Sequence, residues 1–263
     1  MSAAAAPRID VRLAARDGGA VAFLTLDNRA KLNTLDRTLM TGFTREVDAL
    51  AARDDLRVLV LAGAGVGGKA FIGGASIPEM AALDRASARD FITLVHRTCD
   101  CLRRLPVPVI AKIDGYALGA GLEVAVSCDL RVATTRARFG MPEVKVGLPS
   151  VVEAALIPSL IGYGRARQLL MLGEIIDADT ALRWGLVERV VTPDALDAEV
   201  ERIIVSLLAG GPRALRQQKA LMQQWEQLPA DAAIQAGIDA FERAYETDEP
   251  ARMLSAFVNR KRE

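Results

Sequence analysis

The sequence predicts an α/β fold that is followed by a helical region at its C-terminal end. Apolar runs typical of buried parallel strands, such as residues 56–62, alternate with segments of helical periodicity. After residue 191 the strand-like runs stop, and only helical patterns follow. We therefore expect an α/β core over residues 1–191 and a helical region over residues 192–263.

Each element of this fold has a local sequence signal. A tight turn at Asp17-Gly18-Gly19 separates two predicted strands. Apolar residues at helical spacing predict a helix over residues 35–52 and a second one that ends before Pro106. Proline near the start of several C-terminal segments is typical of helix N-termini. The further strands are expected at residues 107–113 and 130–133, and the further helices at residues 121–127, 193–208, 212–225, 230–245 and 250–260.

Composition and charge restrict the function classes. The 263 residues include 33 Lys and Arg and 33 Asp and Glu, and this zero net charge argues against a nucleic-acid partner. His96 is the single histidine, which argues against histidine metal clusters and histidine-based catalytic triads. Three cysteines, an odd number, favour a reduced, cytoplasmic protein. The most apolar stretch, residues 105–127, contains charges and helix breakers, so no membrane span is expected.

A glycine-rich segment, residues 63–68, matches the dinucleotide-binding pattern G-x-G-x-x-G. The residues that follow it do not read as the helix that this motif requires. We interpret the segment as a surface loop, and a dinucleotide-dependent oxidoreductase remains an alternative.

A second glycine pair precedes a predicted helix start. Ser76 and Glu79 form the pattern of a capping box, so a helix is expected to begin there. Ala75 lies between this helix and Gly73-Gly74, where backbone can approach a ligand closely. Its N–H group could therefore face open space, and the alternative is an ordinary helix entry.

Two glutamates follow neighbouring predicted strands. Glu123 lies in the first turn of an apolar helix, where burial would raise its pKa and suit it to proton transfer. Glu143 lies on a proline-containing turn after the next strand. The two carboxylates could share one pocket, and the alternative is that Glu143 is a surface loop residue.

Together these segments resemble the crotonase (enoyl-CoA hydratase/isomerase) family over nearly the whole chain. The resemblance rests on residues 28–33, 69–80, 114–123 and 139–143. It implies that the N–H groups of Ala75 and Ala120 form an oxyanion hole and that Glu123 and Glu143 are catalytic. It also implies a CoA-binding loop with three substrate-binding residues and a C-terminal basic residue that contacts CoA phosphate from a neighbouring subunit; these are Arg29, Ala30, Leu32 and Arg260.

The resemblance further implies repeated β-β-α turns and a C-terminal helical region that forms a homotrimer or homohexamer. No metal or redox cofactor is implied, because CoA enters as part of an acyl-CoA thioester substrate. With both Glu123 and Glu143 present, the sequence resembles the hydratases of this family. Double-bond isomerisation, thioester hydrolysis and a non-catalytic RNA-binding role remain alternatives.

Three features depart from the family pattern. Ser76 replaces the usual aspartate after the first oxyanion residue, and little effect is expected because serine caps a helix about as well. Ala120 stands where glycine is common, which adds a methyl group beside the acyl pocket. Glu153 is a third carboxylate in a stretch that is usually rich in glycine. Residues 91–98 are expected to shape the acyl pocket.

Overall fold

The computed structural model describes residues 6–65 and 68–260, with backbone only for residue 260. Ten strands lie within this part of the chain: β1 (Arg8–Arg16), β2 (Gly19–Asp27), β3 (Leu56–Gly63), β4 (Ala70–Ile72), β5 (Val109–Ile113), β6 (Tyr116–Leu118), β7 (Leu130–Thr134), β8 (Arg138–Gly140), β9 (Ile175–Asp177) and β10 (Arg189–Val191). The same residues form ten α-helices: α1 (Arg37–Ala51), α2 (Ile77–Ala81), α3 (Arg85–Arg104), α4 (Ala120–Val126), α5 (Ile157–Leu172), α6 (Ala178–Trp184), α7 (Leu196–Leu208), α8 (Pro212–Trp225), α9 (Ala230–Ala244) and α10 (Glu249–Arg260).

The strands form two sheets within the described residues. The larger has the order β1-β2-β3-β5-β7-β10 and is parallel except for the antiparallel hairpin of β1 and β2. The smaller has the order β4-β6-β8-β9, with β8 and β9 antiparallel. The three strand pairs β3-β4, β5-β6 and β7-β8 each add one strand to each sheet, and a helix follows each pair. The predicted α/β fold with repeated β-β-α turns is confirmed.

The apolar run of β3 is explained by its position in the larger sheet, where both faces are covered. Leu59 and Leu61 point into the main core, which the helices α1, α3 and α4 share. Val58 and Val60 point to the opposite face, against α7. A strand that is buried on both faces loses the polar alternation of a half-exposed strand.

The C-terminal helices differ in how deeply they are buried, and α8 packs against α9. The helix α7 covers the larger sheet, and Lys219 of α8 is buried, donating hydrogen bonds to the carbonyls of Leu102 and Val107 and to Asp129. By contrast, α9 and α10 keep many apolar side chains exposed. A domain boundary between residues 191 and 192 stays a prediction. Among the described residues, no helix combines the length and the apolar character that crossing a membrane requires.

The capping box predicted at Ser76 is wrong in its side-chain contacts. The helix α2 does begin after Ser76, but the Ser76 side chain makes no capping hydrogen bond. The Glu79 carboxylate instead accepts a hydrogen bond of 3.2 Å from the backbone N–H of Arg37. A tertiary contact to α1 has therefore replaced the local one.

Candidate active site

A cavity of about 270 Å³ lies where the second sheet meets α2, α3 and α4. Its walls bring together four of the predicted site residues, which are Ala75, Ala120, Glu123 and Glu143. The remainder of the lining is mainly apolar. Phe91, Ile92 and Val95 of α3 contribute to it, and their part in shaping an acyl pocket stays a prediction.

The backbone around Ala75 is fixed by a bridge to the start of α1. The N–H of Leu35 donates to the carbonyl of Gly74, and the N–H of Ser76 donates to the carbonyl of Leu35, both at 2.8 Å. This pairing leaves the N–H of Ala75 without an acceptor among the described residues. Gly74 precedes it with a φ of 115°, a conformation that favours glycine.

Ala120 presents the second free amide. It is the first residue of α4, so its N–H has no partner within the helix. No described residue accepts a backbone hydrogen bond from it. Ala75 and Ala120 line the same cavity, so two backbone N–H groups without a hydrogen-bond partner in the described part of the chain belong to residues at its wall.

Glu123 is enclosed because α4 has no solvent-facing side. All seven residues of this helix are buried, and Glu123 is 4% exposed. Desolvation raises the pKa of its carboxyl group to about 8, and the charges of Glu143 and Glu153 act in the same direction. The nearby Ala154 amide has the opposite, smaller effect. The predicted burial of this carboxyl group is confirmed.

Glu143 faces the same cavity from a short 3-10 turn, Pro142–Val146, and is half-buried. Its Oε2 accepts a hydrogen bond of 2.9 Å from the hydroxyl of Ser150. Its Oε1 lies against Gly119, where an added Cβ atom would stand only 2.5 Å away. These contacts give the carboxylate a defined position at the cavity.

The residues predicted for CoA binding lie outside the cavity lining. Arg29 and Ala30 are on an exposed 3-10 turn, and Arg29 pairs with Asp27 at 2.7 Å. Leu32 is 43% exposed, and its carbonyl accepts a hydrogen bond from the N–H of Gly73. Arg260 ends α10, and its side chain lies outside the described residues.

Two contributors to the site were missed by reasoning from the sequence. Ser150 holds Glu143, and Gly119 leaves room for it. Gly119 could have been found, because a glycine directly before a helix often adopts a positive φ. Its φ here is 51°. No sequence pattern pointed to Ser150, because its contact depends on how the loop after Glu143 folds back.

The glycine-rich segment does not continue into a helix. Gly63 ends β3, residues 66 and 67 lie outside the described part, and the next element is the strand β4. A pyrophosphate-binding helix N-terminus is therefore not formed there. Across residues 6–65 and 68–260, no group of three or more His, Cys, Asp and Glu residues is arranged to hold a metal ion.

Comparison with known proteins identifies the family. Residues 16–263 match the family model described as enoyl-CoA hydratase/isomerase. The chain is 35% identical over 243 residues to a crotonyl-CoA hydratase of Syntrophomonas wolfei, covering 92% of this chain and 93% of that protein. It is 33% identical over 245 residues to a short-chain-enoyl-CoA hydratase of Clostridium acetobutylicum, covering 93% of both.

Solved structures agree with this result. The crystal structure of an enoyl-CoA hydratase from Bacillus anthracis superposes with a TM-score of 0.90 at 30% identity and covers 96% of both chains. The chain belongs to the enoyl-CoA hydratase/isomerase family, as the resemblance of its motifs implied.

Proposed function

We propose that this protein hydrates 2-enoyl-CoA thioesters to 3-hydroxyacyl-CoA. The observation that carries the proposal is the convergence of Glu123 and Glu143 on one cavity that also exposes the free N–H groups of Ala75 and Ala120. The names of the related hydratases support the same reaction.

The two amides would bind the thioester carbonyl oxygen. Negative charge develops on this oxygen when water adds at C3, because an enolate-like state forms. Donors that are already in position stabilise that state without reorganisation, and each one is typically worth about 3–4 kcal/mol of barrier. Backbone groups supply this stabilisation, so the side chains of Ala75 and Ala120 need only be small.

The glutamate pair would provide one base and one acid. In the reacting state, ionised Glu123 accepts a proton from water, the oxygen bonds to C3, and protonated Glu143 gives its proton to C2. The step ends with the proton of the water on Glu123, the form that the raised pKa of this residue favours, and with the proton of Glu143 on C2. A proton must then return from Glu123 to Glu143, and the next bound water can carry it. Each group is expected to contribute about 10²–10⁴-fold.

The cavity walls favour a hydrocarbon acyl group. Besides α3, the lining includes exposed or half-exposed apolar side chains of α2 and of the loop after β8, namely Ile77, Met80, Val146, Leu148 and Val151. CoA would extend outward past Arg29, Ala30 and Leu32, with Arg260 meeting its phosphates from a neighbouring subunit. CoA belongs to the substrate here, and the proposed steps use no metal or redox cofactor.

The C-terminal helices support an oligomer. Ile234, Ile238 and Phe241 of α9 are 64%, 57% and 69% exposed, and Leu254 of α10 is 55% exposed. Apolar surface of this extent is typical of an interface between subunits. A homotrimer, or a homohexamer built from two trimers, would cover it. The three buried free cysteines support a reducing, cytoplasmic location, where the reaction would serve fatty acid metabolism.

The test is a product analysis by mass spectrometry with crotonyl-CoA and a panel of branched, aromatic and sulfur-containing enoyl-CoA thioesters. The proposal predicts that at least one substrate gains one water. Release of free CoA would indicate a hydrolase, and an unchanged mass with a migrated double bond would indicate an isomerase; either result would overturn the hydratase assignment.

A further inference from the structure

A third buried carboxylate, Glu153, lies beside the site and has no part in the proposed reaction. Its side chain is 7% exposed, and its Oε2 has no hydrogen-bond partner in the described part of the chain. Its Oε1 accepts a hydrogen bond of 2.7 Å from Nδ1 of His96, a half-exposed residue of α3. A buried carboxylate with one unpaired oxygen reduces stability, which suggests a functional reason for its presence.

The backbone that presents Glu153 is strained. Val152, immediately before it, has a φ of 40°, a region that β-branched residues rarely adopt. Such strain costs about 1–3 kcal/mol and is concentrated at functional sites. The 3-10 turn Val152–Leu156 lies against both α3 and α4, so Glu153 stands near His96 on one helix and Glu123 on the other.

Glu153 acts on its surroundings through its charge. The charges of Glu143 and Glu153 both raise the pKa of Glu123. Cys99 of α3 faces Glu153 and Glu123 as well, and burial together with their charges raises the pKa of its thiol well above the usual range, so it stays neutral. His96 also faces Glu153 from α3, through the hydrogen bond at its Nδ1.

We propose that Glu153, anchored by His96, is a positioning residue whose buried charge controls when Glu123 can take up and release a proton. The inference rests on the proposed function, in which Glu123 accepts a proton from water. A nearby negative charge makes ionised Glu123 a stronger base, and it also narrows the pH range in which that ionised form is present.

The direct test is an NMR titration of isotope-labelled glutamate carboxyl groups, in which Glu123→Gln identifies the Glu123 signal. Glu153→Gln should lower the titration midpoint of Glu123 by about one pH unit, because a like charge is removed. Glu153→Asp keeps the charge and should restore the midpoint toward that of the unmodified protein. The control is Glu46→Gln, which removes a carboxylate on α1 that pairs with Arg45. This variant should leave the midpoint of Glu123 unchanged.

His96→Ala gives a second route if Glu153→Gln does not fold. Without its anchor the Glu153 side chain has no hydrogen-bond partner in the described part of the chain and is expected to leave its place beside Glu123, which again lowers the midpoint of Glu123. A purely structural clamp would lower the Tm of these variants without moving the midpoint. An unchanged midpoint in the folded variants would overturn the inference.

The pH dependence of crotonyl-CoA hydration separates this inference from the proposed function. If both are right, the acid limb of the kcat/KM profile moves with the NMR midpoint in Glu153→Gln. A midpoint that moves in a protein without any hydratase activity would support the role of Glu153 and contradict the proposed function.

Discussion

The Ser150 hydroxyl donates a hydrogen bond of 2.9 Å to Oε2 of Glu143. The two residues are seven positions apart, so the segment after the 3-10 turn holds the carboxylate that the turn presents. The other carboxylate oxygen is confined by Gly119 at the start of α4. Glu143 is thus positioned from two sides, while desolvation is the largest cause of the raised pKa of Glu123.

Loss of the Ser150 hydroxyl should reduce catalysis without unfolding the protein. We expect Ser150→Ala to lower kcat about tenfold, because a hydrogen bond to a charged group is worth about 1.5–3 kcal/mol and part of this is recovered by water. Steady-state kinetics with crotonyl-CoA measures the effect. Ser159→Ala is the control, since that hydroxyl bonds only the Leu156 carbonyl, and an equal loss there would contradict the positioning role.

A side chain at Gly119 should displace Glu143. In Gly119→Ala the new Cβ would lie 2.5 Å from Oε1 of Glu143, and the φ of 51° is unfavourable for alanine. We expect kcat to fall about 100-fold or more, since small displacements of a catalytic group have effects of this size. Gly164→Ala is the matched control, because no described atom lies within 4 Å of its added Cβ. Full activity in Gly119→Ala would show that the carboxylate needs no such space.

The raised pKa of Glu123 makes a prediction about stability and pH. Its pKa rises from 4.5 to about 8 on folding, so folding becomes more costly as the pH increases through this window. The cost grows by about 1.4 kcal/mol per pH unit and levels off above the folded value. Glu123→Gln removes the cost and should raise the Tm relative to the unmodified protein, by more at pH 8 than at pH 5.

Thermal unfolding across that pH range measures the difference. Val124→Ala on the same buried helix is the control, because it removes apolar volume and no titrating group. The Tm of Val124→Ala should lie below that of the unmodified protein by the same amount at every pH. A constant Tm difference between Glu123→Gln and the unmodified protein would contradict the raised pKa.

The exposed apolar face of α9 should hold subunits together. Ile238 is 57% exposed, and Ile238→Glu would place a charge in the proposed interface. Light scattering coupled to size-exclusion chromatography should then show dissociation toward monomers. Val205→Glu, at a 59% exposed position of α7, should keep the oligomer. A monomeric unmodified protein would show that this face has another role.

Local patterns predicted much of the fold and the carboxylate pair. The burial of Glu123 followed from apolar neighbours on every side of a short helix, and both faces of β3 are covered as its apolar run indicated. The three-residue strands β4, β6 and β8 are too short for periodicity to show.

Contacts between distant segments could not be predicted. Glu79 bonds the amide of Arg37, which is 42 positions away, and this contact replaced the expected capping box. His96 and Glu153 are 57 positions apart, so the sequence around either residue did not predict that they form a pair. Such contacts are fixed by how helices pack and not by the sequence around either residue.

The central claim is that Glu123 and Glu143 together add water to an enoyl-CoA thioester. The most direct measurement is the mass of the product formed from crotonyl-CoA in heavy-oxygen water by the unmodified protein, Glu123→Gln and Glu143→Gln. We expect the unmodified protein to incorporate one labelled water and each variant to be slower by about 10²–10⁴-fold while remaining folded. Equal rates of incorporation in all three proteins would contradict the central claim.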